Sequence, residues 1–342
     1  MRGSVKAVVV CGALMAAGLG AAVPAAASSA VPACSVTWVG NSEAWNNPAN
    51  WSTGQVPGPT SDVCISGDGP APEAGGPIDI HSLQVSDGAE PLFENLTISD
   101  ILTDASGAVF FDGTLSAPTI DNAGLIQAVG ASTITSPALS NTGTIQALDG
   151  SAADPSTLQL TDNPLQLANG TLNGGTLDAE GTDTTIIING DISSIAAGEI
   201  TANDGGSIEN QSGGNALASV SSIGQNGTLN YAGTLTGNLV NQGYFGSDNA
   251  DVTGDYTQSS TGTVGAGFEA GLTIGGTATL SGTLAIGYDM FCTPNKGTTK
   301  TVITFAARNG TFTTTPSVFN VTYGATSIQE QYEGPKNHSE CG

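Results

Sequence analysis

Short runs of alternating apolar and polar residues, each introduced by Asn or Gly, recur through most of this chain. The phrase NAGLIQA at 122–128 returns as NTGTIQA at 141–147. Looser copies follow from Asn173 (NGGTLDA), Asn226 (NGTLNYAGTL) and Asn241 (NQGYF). Each copy is a turn running into a strand of three to five residues with period-2 alternation, as in Thr144-Ile145-Gln146-Ala147 and Thr228-Leu229-Asn230-Tyr231. Extended helical periodicity is absent, and β-branched residues between frequent glycines favour strands.

Strands this short bury little by themselves, but a coiled chain can stack them. Strands of successive turns would pair in parallel about 4.8 Å apart, with Ile, Leu and Val in inward columns and Thr, Ser and Asp outside. Asn at equivalent bends would hydrogen-bond into a ladder. The 19-residue step from Asn122 to Asn141 is one coil of a β-solenoid. The pattern predicts an all-β, right-handed parallel β-helix of about ten coils. The competing architecture is an antiparallel β-sandwich with turns at similar intervals.

The chain divides into four segments. Residues 1–27 read as a signal peptide: Arg2 and Lys6, an apolar run, Pro24, then small residues with cleavage after Ala27. Residues 28–77 form a Trp- and Pro-rich head, with 67–77 (GDGPAPEAGGP) read as a loop. The coils run over 78–290, opening on Ile78, Ile80, Leu83 and Val85, and 291–342 form a capping segment.

Two stretches carry a resemblance. Residues 34–65 place Trp38, Trp45 and Trp51 before a VP and a D-x-x-I phrase, which resembles the start of many exported bacterial β-helix proteins. Near the other end stand GDYTQ at 254–258, GGTATLSGTLAI at 275–286, TVITFA at 301–306, GTF at 310–312 and a Y-x-x-x-x-I strand at 323–328. That series is similar to the tail of exported, autotransporter-passenger-like and adhesin-like parallel β-helix proteins. The resemblance implies the same fold and an extracellular setting, and says little of activity. Neither a membrane barrel nor a wall-sorting signal follows, so free secretion or non-covalent retention is expected.

Charge narrows the partners. The net charge is −24, and no Lys or Arg occurs between Lys6 and Lys296. Such a surface repels nucleic acid and anionic lipid. The mature chain has no apolar stretch long enough to span a bilayer. It keeps Cys34, Cys64, Cys292 and Cys341, an even count that suggests two disulfides in an oxidising compartment. Of the three possible pairings, Cys34–Cys64 and Cys292–Cys341 are favoured because each is local in sequence. Zinc is disfavoured by the spacing and by the scarcity of histidine, His81 and His338 being the only two.

Catalytic chemistry has few footholds. Lyases of this fold generally use Arg or Lys, which the rod lacks. A glycosidase needs two carboxyl groups, and three acidic groups are candidates: Asp178, Glu180 and Asp183; Glu199, Asp204 and Glu209; Asp248, Asp251 and Asp255. There is no G-x-S-x-G elbow, P-loop or dinucleotide fingerprint. SDNADVTGD at 247–255 is acidic enough for calcium but matches neither known loop spacing, and a solvated acidic turn is the favoured reading. An ice-binding face would need a regular T-x-T column, whereas Thr114, Thr144, Thr176 and Thr228 recur unevenly.

The expectation is a secreted, non-enzymatic β-helix protein with a structural, adhesive or glycan-binding role, and no cofactor. Its partners would be extracellular glycans or surface proteins. Trp38, Trp45 and Trp51 are candidate glycan contacts, although three rings crowded beside Pro and a cystine read more readily as a plug on the open end of the core. The alternative is a glycoside hydrolase-like enzyme using paired carboxylates on the β-helix face.

Overall fold

The structure, a computed structural model, describes residues 31–40, 42–67, 69–148, 155–267, 271–287 and 295–334. The segment 1–27 read as a signal peptide, Cys292, Cys341 and His338 lie outside the described residues. The compact unit that carries the coils begins at Pro32.

Of the described residues 59% are strand, and they wind into a β-solenoid of about 11 turns. Each coil places short strands on three faces, and each strand pairs in parallel with its counterpart one coil away. On the first face the inward column reads Val109, Ile126, Ile145, Leu177, Ile200, Leu229, Phe245, Val264, Leu284, all fully buried. The third face begins in the head: Val36 pairs with Val63, which pairs with Leu83, then Leu102, Ile120 and Leu139. Every fully buried aliphatic side chain gains roughly 1.5–3 kcal/mol over exposure, so long columns are what hold such short strands together.

Antiparallel layers face to face, the rival architecture, are absent among the described residues. Antiparallel ladders occur at the hairpin of Leu167–Ala168 with Thr171–Asp178 and at the C-terminal end. There Thr299–Gly310 completes the last parallel coil on Leu272–Leu280, and Ser327–Tyr332 and Phe319–Tyr323 fold back over it. This covers an edge that would otherwise offer unpaired backbone groups.

The N-x-G phrase now has a physical meaning. Asn122 and Asn141 are buried neighbours in one column, and Asn122 Nδ2 donates to Asn141 Oδ1 at 2.7 Å. Each side chain also donates to a carbonyl of the following coil, Asn122 to Thr144 at 2.9 Å and Asn141 to Thr176 at 3.1 Å. Asn241 repeats the contact to Thr263 at 2.8 Å, and Gln258, stacked on it, reaches Thr283 at 2.9 Å. The glycine two residues on lets the backbones touch: a Cβ on Gly143 would meet the Gly124 carbonyl, and one on Gly243 the Gly224 and Gly227 carbonyls. Asn173 and Asn226, in contrast, are exposed and take no part in the ladder.

The head is a packed plug. Trp51 meets Trp38 and Trp45 edge to face, with centroids 4.8 and 4.7 Å apart, and Trp45 reaches Phe93 of the second coil at 5.4 Å. All three indoles are buried, and Cys34–Cys64 is a disulfide with Cα atoms 5.7 Å apart. One local expectation changes. The segment 67–77 is a loop only in its first part, because Glu73–Ile80 is a strand. Its irregular sequence reflects a bulge between Ala74 and Pro77, where the chain turns a corner of the coil.

Candidate functional site

The three sequence-local acidic groups do not survive as groups. Asp183 sits in a turn at positive φ, Glu209 belongs to the strand Ser207–Asn210 on another face, and Asp255 is tied to the Thr277 amide at 2.7 Å. Coiling instead gathers Asp178, Glu180, Glu199, Asp204 and Asp248, drawn from all three groups, onto and beside the outward side of the first face. Thr176 is the rung partner of Glu199, and Asp178 that of Thr201. Glu199 and Asp178 are therefore diagonal neighbours, with Cα atoms about 8 Å apart from strand spacing and rise.

Asp178, Glu180, Glu199 and Asp248 hold their protons more tightly than usual. Burial raises Asp178, against a hydrogen bond from Gln146 Nε2 at 2.7 Å. Burial raises Glu199, helped by the Asp178 charge and opposed by Asn230 Nδ2, which donates at 3.0 Å. Glu180 is raised by burial and then by the negative Asp178, Asp204 and Glu199, and Asp248 by burial and by Asp204. Like charges on one partly desolvated face disfavour ionisation, and perturbed acids gathered at one place mark a functional candidate.

Beside them lies a cavity of about 180 Å³ lined by Asn203, Asn230, Tyr244 and Asp248 over a floor of Gly246, Gly265 and Gly267. The glycines make room for the tyrosine. A Cβ on Gly246 would lie 3.0 Å from Tyr244 Cε1, and one on Gly265 3.0 Å from Tyr244 Cζ. The ring thus rests across two rungs of the sheet and remains 37% exposed. Asn203 Oδ1, on a residue that lines the cavity, is buried without a hydrogen-bond partner, as is Asp178 Oδ1 three rungs away along the face. The arrangement offers an aromatic surface with amide, hydroxyl and carboxylate side chains around it, which suits a hydroxyl-rich ligand.

No group of three or more His, Cys, Asp or Glu among the described residues is arranged to hold a metal. The stretch 247–255 disperses: Ser247 and Asp248 line the cavity, Asp251 pairs with Thr234 and Thr273, and Asp255 holds the next bend. Thr144, Thr176 and Thr228 do fall in one outward column with Thr263 and Thr283, interrupted by Glu199 and Tyr244. The second column of a T-x-T face is missing, since its places hold Gln146, Asp178, Thr201, Asn230, Gly246 and Gly265.

Trp38, Trp45 and Trp51 have little exposed surface to offer a sugar, while Tyr244, which sequence reasoning passed over, has its ring in the open. The signal was present: NQGYFG puts an aromatic at an outward position two residues before a glycine. No protein-family model, curated protein or solved structure matches this chain.

Proposed function

We propose that the protein is an extracellular, adhesin-like β-solenoid that binds a neutral or cationic glycan on the Tyr244 face. The observation that carries this reading is the Tyr244 ring lying open across Gly246 and Gly265, in one cavity with Asn203, Asn230 and Asp248. A pyranose stacked on the ring would meet the Asn203, Asn230 and Asp248 side chains around the cavity, and a longer glycan would run on toward Glu199, two rungs along the same face. Acidic glycans would be repelled by the same carboxylates. Export is supported by the leader-like 1–27 segment and by the disulfide, which needs an oxidising compartment.

A second reading is favoured by the diagonal pair Asp178 and Glu199, both raised, on the same outward face as Tyr244. Their placement suits a general acid and its partner in glycoside hydrolysis. A glycan array on the full chain and on Tyr244→Ala tests the first reading: retention of neutral glycans by the wild type and its loss in the variant are expected. Reducing-sugar release from the retained glycans separates the two. Release abolished by Asp178→Asn or Glu199→Gln would make the protein an enzyme, and binding without release would make it a lectin-like rod.

A further inference from the structure

The coil end nearest the head is finished on one face and open on another. On the third face, Val36–Thr37 underlies Asp62–Ser66, and the Thr37 amide is met by Ser52 Oγ at 3.0 Å. Glu73–Ile80 has no comparable cover. It pairs with Leu92–Ile98 on one side, and on the other, among the described residues, it meets only the single bridge Ala44↔Glu73. From Gly75 to Asp79 its outer edge therefore meets no backbone partner among the described residues, and such an edge is the template onto which another strand adds.

The core column above this edge is also unfinished. Ile78 stacks beneath Leu96, Leu115 and Ile134, which are fully buried, yet Ile78 itself is only partly covered. It lines a cavity of about 470 Å³ together with Trp45, Gly75 and Gly76. Trp45 is 3% exposed, and its indole Nε1 is buried without a hydrogen-bond partner. A second cavity of about 440 Å³ is lined by Glu73, Glu90 and Leu92, and the two share Glu43 and Glu73.

Pro77, the adjacent bulge, and the acids Glu73 and Asp79 are devices that blunt an edge against self-association. They do not blunt it against every partner. Another copy brings no Lys or Arg between Lys6 and Lys296 and is repelled by the acids. A basic segment is attracted by them, and Pro77 removes only one donor.

We infer that this edge is a docking site for an extended basic peptide, taken up by strand addition. The peptide's main chain pairs with the 75–79 edge, one of its apolar side chains completes the column under Ile78, and its Lys or Arg side chains face Glu43, Glu73 and Asp79. The site is separate from the Tyr244 face and does not depend on the glycan reading.

A fluorescein-labelled alternating Lys–Val octapeptide titrated against the full chain tests this by anisotropy. We expect saturable binding that weakens at least tenfold for a Glu–Val peptide of the same length, and at least tenfold for a Lys–Val peptide N-methylated at alternate amides. The charge reversal E43K/E73K, at exposed positions, inverts the preference between the Lys and Glu peptides while the circular-dichroism spectrum and melting temperature stay unchanged. Equal binding of the N-methylated peptide overturns strand addition, because charge alone would then suffice. Unchanged Lys–Val affinity in E43K/E73K overturns the location, and absence of wild-type binding overturns the proposal as a whole.

Discussion

Asn122 donates its side-chain amide to the Asn141 oxygen at 2.7 Å across one coil, and both side chains are buried. Each amide also holds a backbone carbonyl of the next coil, so the pair fixes the register of three turns. Leaving a buried polar group unmet costs about 1–3 kcal/mol. Asn141→Ala should lower the free energy of unfolding by that amount, read from urea midpoints at unchanged slope. The double variant Asn122→Ala/Asn141→Ala should cost less than the two single changes together, because the second deletion removes the group the first left stranded. Strict additivity would show that the two amides act independently.

The glycine of the phrase is as constrained as the asparagine. Gly243→Ala drives a methyl group into the Gly224 and Gly227 carbonyls, whereas Gly58 has open space around its missing Cβ and an ordinary backbone conformation. Melting temperatures should fall by several degrees for Gly243→Ala and stay within about a degree for Gly58→Ala, in line with the usual cost of steric strain in a close-packed interior. Equal effects would mean that coil contact is not what selects this glycine.

Buried acids give the molecule an unusual pH dependence. Glu330 is fully buried in the C-terminal cap, both of its oxygens lack a partner, and burial pushes it to about 8. Asp104 continues the Asn column one coil earlier and is pushed to about 6, despite amide hydrogen bonds from Gly107 and Leu125. An acid whose folded value is raised binds its proton more tightly when folded. The stability tied to that proton is complete below the unfolded value and is lost as pH rises through the folded one. The melting temperature should therefore fall between about pH 4 and pH 8. Glu330→Gln should flatten the upper half of that fall, from pH 6 to pH 8, and a profile unchanged by this substitution would exclude Glu330 as its source.

The head is stapled to the first coils. Cys34–Cys64 closes a loop with a sequence separation of 30. Replacing both cysteines with Ser should cost about 3 kcal/mol, chiefly through the freed unfolded chain. Limited proteolysis should then cut first within residues 34–64, and cleavage beginning in the coils would mean that the plug holds without its staple.

Much of the fold was legible in the sequence because stacking imposes its own grammar. Asn122 and Asn141 recur one coil apart, Ile126 and Ile145 share a column, and the Trp cluster forms the plug. The candidate site was not legible, because coil length varies. Gly237 bonds Thr253 only 16 residues on, while Gln146 bonds Asp178 across 32. A hairpin at Leu167–Ala168 absorbs part of that longer step, so spacing alone could not show Asp178 and Glu199 as diagonal neighbours or Thr144 and Thr176 as rung partners. The strand Glu73–Ile80 was masked by its bulge and proline, and buried Glu330 sits in an otherwise ordinary polar alternation.

Glycan binding stands or falls on the outward face around Tyr244. Hydrogen–deuterium exchange of the full chain, with and without a glycan retained on the array, reads that face directly. Protection confined to Ser194–Ala202, Ser222–Tyr231 and Tyr244–Ser247, and absent from Tyr244→Ala, is the predicted result. A footprint on the Trp head or on another face of the coil, or one that persists in Tyr244→Ala, would contradict it.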